Sequence, residues 1–568
     1  MSAPEINKDT DEDSGLSFTE VAHISQWVLK TIFRLQKAHA ITYLLFNVVY
    51  EVRFILNTFI VAKLIDTVAT GLIQKNLDYR SLYFYLSALF VYNIVSMGMS
   101  HFRSYFQLSL RISSYPKLQK EYYSHLYKLG IEKLEDPEIV NKTHRASPTI
   151  ESLFDYFLLI ISFISMTVRL ISVILTVFAI FPLFLLLVVV ANIPYFFIDR
   201  KYRLLIWKFI IKNTENNRRN SSNIAYLTTP RELHEVYVNN AFEFLSRKYL
   251  QFAEWYKKAN LEIQKKWYVF NFSALFLPEL AVLIGLVNIF KQAISGLLSV
   301  GQLTFYFRML NEVSEGIQTI MNQMNALNSN VLRLKDLYFI FTKIEPFEDG
   351  AVAMPRLVQG PQIEFKDVSF AYPRAKTNVF NNINLLVRPK EKIAIVGHNG
   401  AGKTTLLKLI CRFYKVGGGA ILINGTDISS LRIKDWYQNM GVLLQDYNAY
   451  GHLTVRENIL IGRPDEDSDE TAIHLAAQGA DALSFINDFQ GKFDQVLSER
   501  YKGGIRPSTG QWQKIAIARL FYRNPSLVIF DEPTSSIDAV SEYNIFNRIY
   551  EFFEGKLNSI RISPPNLF

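Results

Sequence analysis

The segment Gly397–Thr404 has the residue types of a phosphate-binding loop. It reads Gly-His-Asn-Gly-Ala-Gly-Lys-Thr, follows an apolar run that predicts a strand (Ile393–Val396), and precedes a predicted helix from Thr405. The glycines let backbone N–H groups converge on phosphate oxygens, and the start of a helix adds partial positive charge. We expect Lys403 to reach the β- and γ-phosphates and the hydroxyl of Thr404 to hold Mg²⁺.

Two acids at the end of a second apolar run have the chemistry to act on the same phosphates. The run Leu527–Phe530 predicts a buried strand, and Asp531 and Glu532 follow it directly. We expect Asp531 to act on the metal through its coordination shell and Glu532 to polarise an attacking water molecule. The two groups together predict hydrolysis of a nucleoside triphosphate.

The elements that must position these groups form the second half of the chain. Residues 343–362 carry prolines and glycines without periodicity and are interpreted as a linker. From residue 363 to 568, short β-rich runs alternate with helical stretches, which predicts an α/β domain of the P-loop NTPase type. The single cysteine, Cys411, excludes an intrachain disulfide and is interpreted as core packing.

The first half of the chain is apolar in blocks of membrane-spanning length. Residues 1–15 are acidic and polar and predict a disordered tail, and residues 16–36 predict an amphipathic helix on the membrane surface, with a soluble core helix as the alternative. Six apolar blocks follow, and residues 16–342 are therefore interpreted as an all-α polytopic membrane domain. The blocks are 41–66, 81–106, 153–178, 180–198, 268–290 and 294–318.

Charge sets the expected orientation of this domain. The net charge of +9 arises from Lys and Arg that flank the apolar blocks, which favours a membrane over nucleic acid as the partner. The long connections 107–152 and 199–267 are rich in these cations, so both are expected in the cytoplasm with the nucleotide-binding half, at the cytoplasmic membrane. Each connection contains a helix start with proline at its first position, Pro137 and Pro230.

Several polar residues fall inside the predicted spans and are candidates for function. Ionisable groups there are costly and usually face the protein interior, although hydrogen bonding between helices or imprecise span limits would also explain them. These polar residues do not identify the cargo, which can be a small molecule, a lipid or a peptide. The residues are Glu51, Arg53, Asn57, Arg169, Asn192, Glu279 and Asn288.

Over about residues 16–556 the chain resembles the exporter-type half-transporters of the ABC transporter superfamily. In this resemblance Gly397–Thr404 corresponds to Walker A, Leu527–Glu532 to Walker B, and Gly503–Gln513 to the family signature. The segments Asp136–Arg145 and Thr228–Leu233 correspond to coupling helices that dock onto the ATP-binding domains. The resemblance implies ATP-driven export across the membrane by a dimer of two half-transporters, with ATP and Mg²⁺ as cofactors.

The resemblance also assigns roles to individual residues. It implies Glu532 and Gln445 as catalytic residues, and Thr404, Gln445 and Asp531 as the residues around the metal. Tyr372 is in the place of the aromatic residue that stacks on adenine, and Ser536–Asp538 is in the place of the D-loop. The nucleotide-binding residues it implies are Tyr372, Gly397, His398, Asn399, Gly400, Ala401, Gly402, Lys403, Thr404, Thr405, Ser508, Gly510, Gln511 and Asp538.

The signature departs from the family pattern. The family reads Leu-Ser-Gly-Gly-Gln, whereas Pro507 and Thr509 here replace the leucine and the first glycine. In the family this segment closes over ATP held by the partner subunit, and a β-branched residue there is expected to weaken closure. This favours a heterodimer with one impaired site, although a homodimer is also allowed.

The C-terminal segment departs further. No histidine follows His474, and Pro564 and Pro565 are expected to interrupt the final strand. Codons for 558–568, read one base onward, can encode a family-like ending with a histidine. We therefore expect a truncated, frameshifted reading, and the alternative function is a nucleotide-binding product that does not turn over or transport. A soluble ATPase of the chromosome or repair type is a third possibility, which the six apolar blocks contradict.

Overall fold

The fold is described from a computed structural model, which covers residues 18–178, 181–228, 230–398, 400–465, 469–531, 543, 547–549, 551 and 558–563. The chain forms two compact units. One contains the residues up to Leu126 together with Glu138–Glu345, and the other contains Tyr127–Pro137 together with the residues from Pro346 onward. The second unit therefore includes a short stretch from the first half of the sequence.

Nearly all described residues of the first half of the chain are helical. Its helices are α1 Phe18–Gln74, α2 Tyr79–Leu129, α3 Ile131–Leu134, α4 Pro137–Ala146, α5 Ile150–Phe178, α6 Pro182–Lys212, α7 Thr214–Ala225, α8 Pro230–Val238, α9 Phe242–Ala274, α10 Phe276–Ile294 and α11 Val300–Lys343. Helices α4 and α8 begin at the two prolines, as the sequence predicts, because the fixed φ of proline suits the first helical position.

Five helical stretches among the described residues are long and apolar enough to cross a membrane. They carry the first five predicted blocks. The sixth block, 294–318, lies mainly on α11, where Arg308, Glu312 and Glu315 interrupt the apolar sequence. The membrane domain is therefore confirmed as a set of several apolar helices, although the sixth predicted span does not meet the same criterion.

The predicted N-terminal amphipathic helix is part of a longer helix. It is the first part of α1, which continues past a non-helical residue at Gln36. Its apolar face is buried at Ile24, Val28 and Ile32, and the ring of Trp27 lies 5.5 Å from that of Tyr338 on α11. The predicted helix is present, and protein side chains cover part of its apolar face, while its position at the membrane surface stays a prediction.

The second unit combines two four-stranded sheets. Its strands are β1 Ile363–Phe370, β2 Phe380–Val387, β3 Lys392–Val396, β4 Gly418–Ile423, β5 Thr426–Asp427, β6 Met440–Leu443, β7 Leu527–Asp531 and β8 Asn558–Ser563. Its further helices are α12 Lys403–Ile410, α13 Ile433–Gln438, α14 Val455–Leu460, α15 Glu470–Gly479, α16 Leu483–Asp488 and α17 Thr509–Arg523. One sheet is antiparallel with the order β2-β1-β4-β5, and the other is parallel with the order β3-β8-β7-β6.

Strand β7 separates two hydrophobic cores. Leu527 and Ile529 join the core that contains α12 and the antiparallel sheet. Val528 and Phe530 join the core that contains α14, α15 and α17. Because side chains alternate across a strand, α12 and α17 pack on opposite faces of the parallel sheet. Cys411 is confirmed as core packing, and burial raises the pKa of its thiol to about 12.

The final strand is present, contrary to the sequence expectation. Strand β8 pairs in parallel with β3 on one side and β7 on the other, and the side chain of Ile560 is fully buried. Pro564 and Pro565 come after the strand and do not interrupt it. The strand is stable here because both of its edges have hydrogen-bonding partners, which the local sequence does not reveal.

Candidate nucleotide site

The parallel sheet brings several predicted site residues to one edge. In register, Leu443 of β6 is opposite Phe530 of β7, and Asp531 is opposite Ile562 of β8. Because parallel strands end at the same edge, the loop after β3, Gln445 after β6 and Asp531 at the end of β7 share that edge. Asp531 is only 7% exposed. The arrangement places an acid and an amide beside a glycine-rich loop.

The loop after β3 has the backbone that its glycines predict. Gly400 and Gly402 have φ angles of 84° and 88°, in the left-handed region that favours glycine. A Cβ atom on Gly402 would also lie 2.7 Å from the ring of Phe380, so this position has no room for a side chain. Helix α12 begins at the next residue, and its first N–H groups therefore point toward the loop.

Lys403 is directed back over the loop. Its Nζ atom donates to the carbonyl of Gly397 at 2.6 Å and to that of His398 at 3.4 Å. These neutral acceptors hold the ammonium group next to the backbone that would surround a phosphate. A phosphate oxygen forms stronger, charge-assisted bonds with an ammonium than a carbonyl does. The geometry therefore suits an anionic ligand in this loop.

Tyr372 is fixed beside the loop helix. Its hydroxyl lies 3.0 Å from the hydroxyl oxygen of Thr405 on α12. Its ring makes edge-on contacts with Phe370 and Tyr414, each at a centroid distance of 5.2 Å. The Nζ atom of Lys408 is 5.6 Å from the ring centroid. Tyr372 is thus a partly buried aromatic residue adjacent to the loop.

The signature residues lie at the start of α17. Ser508 and Gln511 form a reciprocal cap, in which each side chain accepts a hydrogen bond from the other's backbone N–H. The carbonyl of Thr509 accepts from the hydroxyl of Tyr447 at 3.0 Å, and a Cβ on Gly510 would meet no atom within 4 Å. Since α12 and α17 are on opposite sheet faces, the chain does not bring its own signature and loop helices together.

Three of the predicted site residues lie outside the described residues. They are Asn399, Glu532 and Asp538. The described part of the site therefore consists of the loop, Tyr372, Thr405, Gln445, Asp531 and the signature residues.

Two arginines near Gln445 were not predicted from the sequence. Arg519 donates to the carbonyl of Asn448 at 2.8 Å, and Arg523 donates to the carbonyls of Met440 at 2.7 Å and Gly462 at 2.8 Å. Burial lowers the pKa of both guanidinium groups. They line a cleft of about 340 Å³ that also contains Asp446 and Tyr447. The sequence does indicate that these two arginines share one face of a helix, because they are four residues apart.

A second polar cluster connects the membrane helices. Arg169 on α5 donates to Glu51 on α1 at 3.0 Å and pairs with Glu312 on α11 at 2.6 Å. Arg103 on α2 lies 3.8 Å from Glu51 and donates to Asn47 at 3.3 Å. Glu51 and Arg169 were candidates from the sequence, whereas Arg103 and Glu312 were not. The cluster balances two acids with two cations, which makes their burial tolerable.

The other polar candidates of the membrane helices have local partners or are exposed. Arg53 donates to the carbonyl of Tyr50 at 2.9 Å, and Asn192 donates to that of Val188 at 2.8 Å. Glu279 and Asn288 are exposed on α10. The buried side-chain oxygen of Asn57 has no hydrogen-bond partner among the described residues. None of these residues joins the cluster around Arg169.

The start of the first predicted coupling segment contacts the loop region within the second unit. Asp136 pairs with Arg374 at 2.9 Å, close to Tyr372 in sequence. Glu135 lies 3.5 Å from Lys408 on the loop helix. The stretch before α4 therefore forms ion pairs with a residue near Tyr372 and with a residue of the loop helix α12.

The chain is similar to known ATP-binding transport proteins. The model of the family described as ABC transporter matches residues 380–535. The subtilin transport ATP-binding protein SpaT of Bacillus subtilis is 28% identical over 542 residues, which are 93% of this chain and 85% of that protein. The putative multidrug export ATP-binding/permease protein YgaD of Bacillus subtilis strain 168 is 34% identical over 273 residues, but these cover only 47% of this chain and 45% of that protein.

A solved structure shows the same fold over nearly the whole chain. The structure of a bacterial Atm1-family ABC exporter with ATP bound superposes with a TM-score of 0.77 at 20% identity, and covers 94% of this chain and 91% of that one. The apolar helices together with these relatives indicate a multi-pass membrane protein with a cytoplasmic ATP-binding domain. The chain therefore joins a helical membrane domain to an ABC transporter ATP-binding domain and is homologous to ABC exporters of the half-transporter type.

Proposed function

We propose that the chain hydrolyses ATP to drive export across the cell membrane as one of two paired half-transporters. The observation that carries this proposal is the shared sheet edge, where the glycine loop, Asp531 and Gln445 lie at the ends of parallel strands. Exporters among its relatives support the direction of transport. The nucleotide site itself carries no information about the cargo.

The residues at this edge fit a magnesium nucleotide. The open backbone around Gly400 and the ammonium of Lys403 provide donors for phosphate oxygens. Thr404 and Gln445 offer the neutral oxygens that Mg²⁺ accepts, with Asp531 beside them. Bound Mg²⁺ would neutralise charge on the phosphates. Glu532 is assigned the orientation of the attacking water, and Tyr372 the contact with adenine.

A pair of chains is needed because of where α17 lies. The signature residues Ser508, Gly510 and Gln511 lie at the start of this helix, which packs on the sheet face opposite to α12. They can complete an ATP site only on another copy or on a related chain, where Asp538 is expected to contribute as well. Half-transporters of this family act as dimers, and both a homodimer and a heterodimer satisfy this requirement.

Thr509→Gly is expected to raise the turnover number for ATP several-fold. The structure leaves this change room, because the side chain of Thr509 is exposed and its contact with Tyr447 is made by the backbone carbonyl. Glycine removes a β-branched side chain where the signature backbone must approach a phosphate, at a helix cost of about 1 kcal/mol. Steady-state ATPase assays of the two chains measure the effect. Thr454→Gly, which makes the same chemical change at the threonine that caps α14, is the control. An unchanged or lower turnover in Thr509→Gly would remove Thr509 as the cause of impairment.

The cargo is proposed to be a peptide. Among these relatives, SpaT, named for subtilin transport, aligns across both halves of the chain, whereas YgaD aligns over less than half of it. The membrane domain, which is the half that meets cargo, therefore resembles that of a subtilin transport protein. The polar cluster around Arg169 offers charged groups of both signs within this domain.

Stimulation of ATP hydrolysis tests the cargo class. The purified chain in lipid nanodiscs is mixed with subtilin as the probe peptide. A fatty acid and a β-glucan represent two other cargo classes, which the names of other relatives suggest. We expect the peptide alone to raise ATP hydrolysis at least about twofold, because cargo binding that favours the closed state raises its population. Stimulation by the fatty acid or the glucan alone would contradict the assignment of a peptide as cargo. It would not change the assignment of the ATP site.

A further inference from the structure

Arg412 connects the end of the loop helix to two separate stretches of chain. It follows α12 directly after Cys411 and is 5% exposed. Its guanidinium donates to the carbonyls of Leu431 at 2.5 Å, Ser429 at 2.8 Å and Glu348 at 2.9 Å. The first two acceptors belong to the ATP-binding core, and the third lies in the stretch that follows the last membrane helix.

The planar guanidinium is the group that can make this connection. It presents N–H donors in several fixed directions, which a lysine ammonium cannot reproduce across three carbonyls. Its burial is offset by the carboxylate of Asp349 at 3.6 Å and by the ring of Phe347, whose centroid is 5.3 Å away. Asp349 in turn accepts from the N–H of Ile433 at 2.7 Å.

The same stretch is fastened to the end of α2. The N–H of Phe347 donates to the carbonyl of Lys128 at 2.7 Å. Gly130, with a φ of 79°, lies against the ring of Phe347, and a Cβ there would be 3.1 Å from it. Lys415, three residues after Arg412, pairs with Glu348 at 2.5 Å. Residues 127–132 therefore contact residues 346–349, which Arg412 binds, and we call these two stretches the junction segments.

The junction segments are the places where the chain passes into the second unit. Residues 127–132 continue from α2, and residues 346–349 continue from α11 after its end at Lys343. Arg412 is one short helix away from the phosphate loop, because the eight residues of α12 extend about 12 Å. A movement of α12 on nucleotide binding would therefore reach residues 346–349 through this side chain, and residues 127–132 through Phe347.

The junction also has space in which to move. A cavity of about 580 Å³ lies next to Arg412 and is lined by Tyr127, Ile131, Phe347 and Tyr437. Close-packed interiors resist displacement, whereas an open volume of this size does not. The hydrogen bond from Arg412 to Glu348 is then one of the restraints on residues 346–349, beside the bonds that Lys128, Lys415 and Ile433 make to the same stretch.

We propose that Arg412 is a positioning residue that transmits the nucleotide state of the phosphate loop to the junction segments, residues 127–132 and 346–349. This inference rests on the proposed function, since it requires nucleotide to bind at Lys403. It assigns no chemistry to Arg412, which lies at the end of α12 opposite to the loop.

Hydrogen exchange of the full chain in lipid nanodiscs, with and without MgATP, tests the inference. In the parent chain MgATP is expected to slow exchange in α12 and to change exchange of the amides in both junction segments by about tenfold. In Arg412→Gln the protection of α12 is expected to persist, while the junction segments no longer respond. Arg432→Gln, which changes an exposed arginine of the same region, should behave like the parent.

A second variant keeps the test decisive. Phe347→Ala removes a partly exposed ring at the junction and leaves the bonds from Arg412 to Ser429 and Leu431 in place. Loss of the response in the junction segments with α12 still protected would support the inference even where Arg412→Gln does not fold. Junction segments that respond normally in folded Arg412→Gln, or in Phe347→Ala, would overturn it. Absence of MgATP protection in α12 of the parent would overturn the proposed function as well.

Discussion

Lys403→Ala is expected to abolish ATP hydrolysis and to weaken ATP binding by about 10- to 150-fold. The lysine is the cation of the loop, and its Nζ atom lies over the carbonyls of Gly397 and His398, where phosphate oxygens would compete for it. Removing a hydrogen bond to a charged group costs about 1.5–3 kcal/mol, which gives this range of affinity. Hydrolysis is lost because the charge that develops on the phosphates has no matching cation.

The fold should be unaffected by this change. The loop conformation depends on Gly400 and Gly402, and α12 keeps its core contacts. Titration with a fluorescent ATP analogue measures affinity, and phosphate release measures turnover, with exposed Lys376→Ala as the matched control. Unchanged affinity and unchanged turnover in Lys403→Ala would remove Lys403 from the ATP site.

Glu532→Gln is expected to keep ATP affinity and to lower the turnover number by about 10²- to 10⁴-fold. Glu532 follows Asp531, the last residue of β7, and is assigned the water that attacks the γ-phosphate. The amide has the shape of the carboxylate but not its charge, and loss of a general base costs this much. Because ATP still binds and is not cleaved, the paired domains should remain closed around it.

Nucleotide retention after rapid gel filtration measures this trapping. The Glu532→Gln dimer should retain ATP through the column, whereas the parent should release ADP. Exposed Glu499→Gln is the control, because it makes the same chemical change elsewhere in the domain. Turnover of Glu532→Gln at the parent rate would show that another group orients the water.

Much of the ATP-binding domain follows from short-range sequence patterns. The β-branched runs predict β1, β3, β4 and β7, and the glycines predict the loop between β3 and α12. These elements are predictable because strand formation and loop conformation depend mainly on neighbouring residues. The starts of α4 and α8 at proline follow from the same local rule.

The features that were missed depend on contacts distant in sequence. Strand β8 forms because β3 and β7 supply partners on both edges, although prolines follow it directly. Glu312 pairs with Arg169, which is 143 positions earlier, and no local periodicity links them. Arg412 likewise reads as an ordinary residue after a helix, since its acceptors at Glu348 and Leu431 are close only in the folded chain.

The membrane half shows the same limit. The apolar blocks predict helices, and amphipathic periodicity predicts the start of α1. The periodicity does not specify what covers the apolar face of that helix, and the structure covers Val28 and Ile32 with protein. Hydrophobicity thus predicts burial, while the choice between lipid and protein depends on tertiary packing.

The central claim is that this chain is an ATP-hydrolysing export subunit. The most direct measurement is the rate of MgATP hydrolysis by the purified full chain in lipid nanodiscs, with Lys403→Ala and Glu532→Gln measured beside it. We predict a parent rate at least about 100-fold above both variants, in line with the contribution of a general base. A parent that binds MgATP but hydrolyses it no faster than either variant would contradict the claim and identify a nucleotide-binding subunit without turnover.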